Sequence, residues 1–290
     1  MRQVLVVYKK SFLETHRQDR RVLGRLDSAA RARYLRADIE NRQTILDVFT
    51  YLSKKHLTFD IMWRGSLARR YKYDLIMCVG GDGTFFAASH SVLDTPMMGI
   101  NSDPSTSLSL FSCCDRKTFR AKVDQALDGA LPATLLNRMR VSINGKTLPT
   151  LAFNDILFAH RNPAAMSRYA LEVDGRKEEQ RSSGMWIATA AGSTAAIRAA
   201  GGTRMAIASR SLQYLVREPY TWPNPAYRLA NGLARRRIGL GVRMTEAALW
   251  LDGSRLRFDL GLGDQVALST GACPLTVLGF DDRRRRRLFP

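Results

Sequence analysis

The sequence predicts an α/β N-terminal domain followed by a β-rich C-terminal domain, and three observations carry that prediction. Apolar runs alternate with helical stretches up to Leu131-Pro132. A glycine-rich loop, Gly80-Gly81-Asp82-Gly83-Thr84, joins one of those runs to a helix. From Thr134 onward the segments alternate apolar and polar residues and carry the hairpin dipeptides Asn144-Gly145, Asp174-Gly175 and Asp252-Gly253. Strands alternating with helices argue for a parallel, helix-covered sheet, whereas tight two-residue turns argue for antiparallel strands.

Val4 to Tyr8 reads as the first buried strand. The Met1-Arg2-Gln3 start is not expected to be a signal peptide, because the apolar part is short, lysines follow it and no small-residue cleavage site appears. Ser28 to His56 predicts one or two helices, with Ile39, Ile45, Leu46, Phe49 and Leu52 as the apolar stripe. Leu57 to Met62 and Asp74 to Val79 are the next strands. Thr84 to Leu93 is a helix, Pro96 to Asn101 a short strand ending in a polar loop, and Asp115 to Leu127 a helix closed by Gly129. In the second half, strands are expected at Arg138 to Ile143, Thr150 to His160, Tyr169 to Val173, Met185 to Ala190 and Ala247 to Leu251. One helix, Ser193 to Ala200, ends at Gly201-Gly202. The expected division is therefore 1–130, 131–275 and an Arg-rich tail over 276–290.

Composition narrows the class. No apolar run reaches the roughly 18 residues that span a bilayer. The four cysteines (Cys78, Cys113, Cys114, Cys273) have no zinc spacing, which suits a reducing cytoplasm without disulfides. Vicinal Cys113-Cys114 lacks the usual reactive context. The net charge of +19 is concentrated in Arg17 to Arg36, Arg235 to Arg237 and Arg283 to Arg287. Without interleaved aromatics, those clusters are expected to be a solvated helix face and a disordered tail, with no specific nucleic acid as partner.

The glycine loop is the strongest chemical signal. Its glycines permit positive φ and close approach of phosphate to backbone N–H groups, and the helix start behind them favours anions. A carboxylate among such amides repels the ligand they attract unless it serves chemistry. Asp82 is therefore the candidate to orient or deprotonate a hydroxyl that attacks phosphorus. Phe153-Asn154-Asp155 offers an amide beside a carboxylate, able to hold the two hydroxyls of a ribose, although Asn-Asp also makes turns. Thr189-Ala190-Ala191-Gly192-Ser193-Thr194 is a strand, a glycine turn and a helix start, either a ligand cradle or a capped helix. Arg181-Ser182-Ser183-Gly184 adds a cation and hydroxyls. His160, Tyr214 and Trp222 read more readily as structural residues, and Asp252-Gly253 as a turn before a ligand contact.

Taken in order, Gly80–Thr84, Gly99-Ile100-Asn101, Asn154-Asp155 and Thr189–Ala195 resemble the NAD kinase family, which shares its Rossmann-like core with diacylglycerol kinases. The likeness runs from Val4 to Phe280. It is nearest to a branch known from plant NADH kinases, at Gly99 to Pro104, Asn154 to His160, Arg181 to Gly184, Thr189 to Ala196 and Leu212 to Pro219. The resemblance implies phosphoryl transfer from ATP, with Mg²⁺, to the adenosine 2′-hydroxyl of NAD⁺ or NADH. Its alternatives are a lipid kinase or a dinucleotide-binding sensor without turnover.

By the same resemblance Asp82 activates the acceptor hydroxyl, and Gly81, Gly83 and Thr84 line the phosphates. Asn101, Asn154, Asp155, Arg181, Ser183 and Thr189 contact substrate, and Thr194 and Ala195 pack on adenine. A cleft between the domains, a homo-oligomer and recruitment of both nucleotides by the positive field are also implied. Two departures stand out: Ser183 where most of the family has Asp, and Ala196 where it has Tyr. Both occur in the NADH-preferring branch, so NADH is expected to serve at least as well as NAD⁺.

Overall fold

The computed structural model describes residues 3–67, 72–222, 227–271 and 273–289. Of the opening Met1-Arg2-Gln3, Met1 and Arg2 lie outside the described residues. The chain divides into two compact units, Met1–Thr134 with Leu275–Arg285, and Leu135–Pro274 with Arg286–Pro290.

In chain order the first unit contains β1 (Gln3–Tyr8), α1 (Phe12–Thr15), α2 (Arg20–Gly24), α3 (Ser28–Lys54), β2 (Thr58–Trp63) and β3 (Leu75–Gly80). There follow α4 (Asp82–Ser89), β4 (Met97–Asn101), β5 (Ser112–Asp115), α5 (Phe119–Leu127) and β6 (Ala133–Leu136). The second unit contains β7 (Met139–Ile143), β8 (Lys146–Thr147), β9 (Asp155–His160), β10 (Ser167–Val173), β11 (Arg176–Ser182) and β12 (Met185–Ala188). After it come α6 (Ala196–Ala199), β13 (Leu212–Val216), β14 (Asn231–Ala234), β15 (Arg237–Val242), β16 (Ala247–Leu251), β17 (Leu256–Leu260) and β18 (Gln265–Thr270). The chain ends with β19 (Leu275–Leu278) and α7 (Asp282–Leu288).

The first sheet runs β2-β1-β3-β4-β19-β6, with β5 also paired to β4. The β1–β2, β1–β3, β3–β4, β4–β5 and β4–β19 pairings are all parallel. Apolar residues fill β1 and β3 without alternation, and all six residues of β3 are buried, as in a sheet covered on both faces. The 27-residue α3 departs from its expected stripe: Ile39 and Leu46 are exposed, while Asp38, Asn41, Thr44, Val48 and Leu52 are buried. The polar half of that face is buried because each group has a hydrogen-bond partner: Asp38 accepts from Ser11 Oγ, and Thr44 Oγ1 donates to Glu40 O of the same helix (2.7 Å). Asn41 Nδ2 donates to the Lys9 carbonyl (3.1 Å), and Asn41 Oδ1 accepts from Ser102 Oγ (2.7 Å).

Other expectations shift in register. α5 begins at Phe119, because Asp115 ends a strand and its carboxylate accepts from the backbone of Lys117 and Thr118. The segment 276–290 is no disordered tail. Leu275–Leu278 returns to the first sheet as β19, and the arginine run forms α7 with Arg285 fully buried against Asp282 (3.2 Å).

The second unit has two antiparallel sheets, β11-β10-β15-β18-β7-β8 and β14-β13-β12-β9-β16-β17. Residues from both, among them Val141, Phe158, Tyr169, Ile187, Leu240 and Leu249, share one core, the arrangement of a β-sandwich. Asn144-Gly145, Asp174-Gly175 and Asp252-Gly253 all adopt positive φ at both positions, as a type I′ turn requires.

Candidate active site

In the first sheet the chain leaves β1 toward β2 on one side and continues from β3 to β4 on the other, so the strand order reverses between β1 and β3. Ligands of open α/β sheets bind outside the carboxyl ends of strands at that reversal. Lys9 follows β1 there, its N–H donating to the Val79 carbonyl (3.2 Å), and Gly81-Asp82 follows β3.

The loop glycines provide room rather than unusual dihedrals. Gly80, Gly81 and Gly83 all avoid positive φ, with Gly81 at φ −104°. A Cβ on Gly80 would meet Thr84 Cβ at 2.8 Å, and one on Gly81 would meet Ser107 Oγ at 2.8 Å. Gly83 is exposed, with the nearest atom to its would-be Cβ being Arg64 Nη1 at 3.6 Å.

Asp82 opens α4 without capping it. Its carboxylate reaches instead to the following loop, accepting from Leu110 N (2.9 Å) and Phe111 N (3.0 Å). Burial raises the proton affinity of this carboxyl above the ordinary aspartate value, opposed by the two amides and the Arg284 charge. The acid is therefore held in place and made a better proton acceptor than a solvated one. Thr84, fully buried, accepts from Arg64 Nη1 (3.2 Å). Asn101 folds the next loop: its Nδ2 donates to Ser107 O (2.9 Å) and its Oδ1 accepts from Asp103 N (3.0 Å).

Sequence reasoning missed Lys9 and Arg64. Both carry positive charge to the carboxyl ends of adjacent strands, and burial pulls the Lys9 ammonium below its usual range, with Asp103 opposing and Arg64 reinforcing. Lys9-Lys10 after an apolar run was the available signal, but the strand order that gives it meaning is not written in the sequence.

The second unit gathers its own residues. Asp155 starts β9 opposite Ala188 of β12, so the Asn154-Asp155 pair and the Thr189–Ala195 turn share one end of the sheet. Thr189 N and Oγ1 reach the Asn154 carbonyl (3.1 and 3.3 Å), and Thr189 Oγ1 donates to Phe153 O (2.7 Å). Gly192 lies on the same carbonyl, and a Cβ there would come within 3.0 Å of Asn154 Cα. Thr189 is thus a buried wall residue, its hydroxyl engaged by backbone. The expected Ser193–Ala200 helix is broken: Gly192–Thr194 is a 3-10 turn, and Ala195 at ψ −139° separates it from α6. That break frees the Ala196 N–H to meet the Asp155 carboxylate.

Asp252, expected first as a turn residue, shapes this pair. Its carboxylate accepts from the N–H groups of Phe153 (2.8 Å), Asn154 (2.6 Å) and Asp155 (3.1 Å). Asp155 is 5% exposed. Burial first, and the Asp252 charge second, push its carboxyl up to about 7, against the Ala196 N–H and the Asn154 side chain.

Arg181 and Ser183 do not join this cluster. They precede Met185, which starts β12 and pairs with Phe158, three residues along β9 from Asp155 and about 10 Å away at the usual rise. Ser183 exchanges hydrogen bonds with Arg217. His160 shares that end and bonds to Asn162. Tyr214 is core, and Trp222 is 76% exposed. A groove of about 550 Å³ floored by Ala170, Gly239, Gly241 and Ala267 contains none of the predicted residues.

No family model matches the chain. A protein of Oryza sativa subsp. japonica named probable NADH kinase is 33% identical over 283 residues, covering 89% of this chain and 85% of its own length. The crystal structure of an NAD kinase from Archaeoglobus fulgidus in complex with ATP shares the fold at a TM-score of 0.69 and 19% identity, over 99% of this chain and 97% of that one. Yeast NADH kinase complexed with NADH gives a TM-score of 0.75 at 14% identity, over 98% and 85%.

Proposed function

Because the chain belongs to the NAD kinase family, we propose that it transfers the terminal phosphoryl group of ATP to the adenosine 2′-hydroxyl of NAD⁺ or NADH, giving NADP(H). The observation that carries the chemistry is the Asp82 carboxylate, fixed by two loop amides at the strand-order reversal, with its proton affinity raised. As the new bond forms from the 2′-oxygen to the γ-phosphorus, the bridging P–O bond to ADP breaks and the hydroxyl proton passes to Asp82. Such a transfer asks the protein for alignment and charge neutralisation rather than covalent work.

Lys9 and Arg64 are the cations suited to the phosphates in the first unit. Among the described residues no cluster of three His, Cys, Asp or Glu forms a metal cage. Mg²⁺ fits that chemistry as an ion carried on the triphosphate, needing few protein ligands and lowering the charge of the transferred group. In the second unit Asn154 and Asp155 take the ribose hydroxyls, and Thr194 and Ala195 face adenine. Ser183 and Ala196, which stand where most of the family has Asp and Tyr, are shared with the NADH-preferring branch, and that likeness supports acceptance of NADH at least as well as NAD⁺.

A homo-oligomer is part of this reading, on the strength of the family resemblance. Four free cysteines support a reducing compartment such as the cytoplasm. No helix of the described residues is long and apolar enough to cross a membrane. Purified protein incubated with ATP, Mg²⁺ and either NAD⁺ or NADH, followed by an NADP-specific cycling assay, tests the reaction and the preference together. Absence of 2′-phosphorylated product from both dinucleotides overturns the reaction, and strong discrimination against NADH overturns the preference.

A further inference from the structure

The C-terminal arginine run is connected to the chemistry of the first unit. After β19, Phe280 stacks on Phe111 (centroids 5.7 Å apart), and Phe111 stacks in turn on Phe85 of α4 (5.6 Å). Asp281 accepts from Arg284 N (3.0 Å) at the start of α7. Arg284 then turns its guanidinium onto the loop that precedes β5. Nη2 donates to Leu108 O (2.6 Å) and Nη1 to Ser109 O (3.4 Å). The next two residues of that loop, Leu110 and Phe111, supply the amides that hold Asp82.

We propose that Arg284 is a positioning residue for Asp82, clamping from the C-terminal helix the loop whose amides fix that carboxylate. The proposal rests on Asp82 being the proton acceptor described above. A planar guanidinium suits this task because it takes two successive carbonyls at once, leaving the following N–H groups aimed at the acid. The same cation also acts through space. The charged groups on the elements around Asp82 include Lys9 after β1, Arg64 after β2, Asp103 after β4, Asp115 at the end of β5, and Asp281, Asp282 and the arginines 283–287 at the C-terminus. Among them Arg284 is the charge that opposes the upward pull of burial on Asp82. Arg285, fully buried beside Asp282, anchors the helix that presents it.

The test measures kcat and KM across pH for the full chain carrying Arg284→Ala, Arg284→Lys or Arg284→Gln, with Arg283→Ala on the exposed side of the helix as control. Loss of the clamp should lower kcat about tenfold or more, the scale set by misplacing a reacting group by a fraction of an ångström. KM for both substrates should hold. The acid limb of kcat should move to higher pH in Arg284→Ala and Arg284→Gln, because an uncompensated Asp82 keeps its proton longer. Arg284→Lys should restore the limb while recovering turnover only in part, and Arg283→Ala should match the parent. If Arg284→Ala does not fold, the Gln and Lys variants carry the comparison. An unmoved limb, or turnover equal to the parent, overturns the proposal. Asp82→Asn run alongside separates the two levels: full turnover in that variant removes Asp82 as the acceptor, whereas a dead Asp82→Asn with a parent-like Arg284→Ala removes only the clamp.

Discussion

Asp155→Asn should make the second unit more stable in alkaline buffer while removing its grip on the dinucleotide. The folded protein raises this carboxyl from 3.8 to about 7. Between those values the folded chain keeps a proton that the unfolded chain has released, so stability falls as pH rises through the window. At 1.36 kcal/mol per tenfold change in proton affinity, the full effect is about 4 kcal/mol. Asparagine mimics the protonated acid, keeps an oxygen for the Ala196 N–H and does not titrate. Urea unfolding of parent and variant should therefore coincide near about pH 4 and separate in the variant's favour to about 4 kcal/mol at about pH 8.5. Trp186 and Trp250, which both pair with Leu157 in the same sheet, report the transition by fluorescence. Affinity for NADH, followed by its own fluorescence, should drop at every pH where Asp155 is ionised. Parallel stability profiles for the two proteins would refute the assignment of a buried, strained carboxylate at this position. A site that lowers stability to keep an acceptor in place is the usual trade between function and folding.

Three other outcomes follow from the geometry. Asp82→Asn should reduce turnover by about two orders of magnitude or more, the range for a positioned acid–base group, with dinucleotide affinity retained in a binding titration. Arg64→Ala should raise KM for ATP about tenfold, the worth of one charge-assisted hydrogen bond, leaving NADH affinity in the absence of ATP unchanged. Gly192→Ala forces a methyl against the Asn154 backbone, 3.0 Å from its Cα. It should lower stability by about 1–3 kcal/mol and weaken dinucleotide binding, read by thermal unfolding and titration.

Local signals settled much of the molecule. The unbroken apolar run Leu75–Val79, the glycine loop behind it and the Asn-Gly and Asp-Gly turns each act within a few residues, so their strand, loop and hairpin outcomes were legible from the chain itself. Asp82 stood out as a candidate too, because a carboxylate among glycines is unusual, whereas Asn154-Asp155 was a weaker signal that also fits a turn. The polar face of α3 was not: Asn41 looks solvent-facing until its partners Lys9 O and Ser102 Oγ are known. Nor was Asp252 as the support of Asn154-Asp155, since 97 residues separate it from the nearer of the two.

The amino-acid sequence by itself determined the fold class, the loop that carries Asp82 and the family likeness, all of which depend on residues adjacent in the chain. Only the tertiary structure decided that Lys9 and Arg64 stand beside that loop, that Arg181 and Ser183 stand away from Asp155, and that an arginine run reading as a tail returns to clamp a loop. The reason is physical: strand order and sheet register bring together groups separated by tens to hundreds of residues, and burial then sets their proton affinities. Neither quantity exists until the sheets have formed.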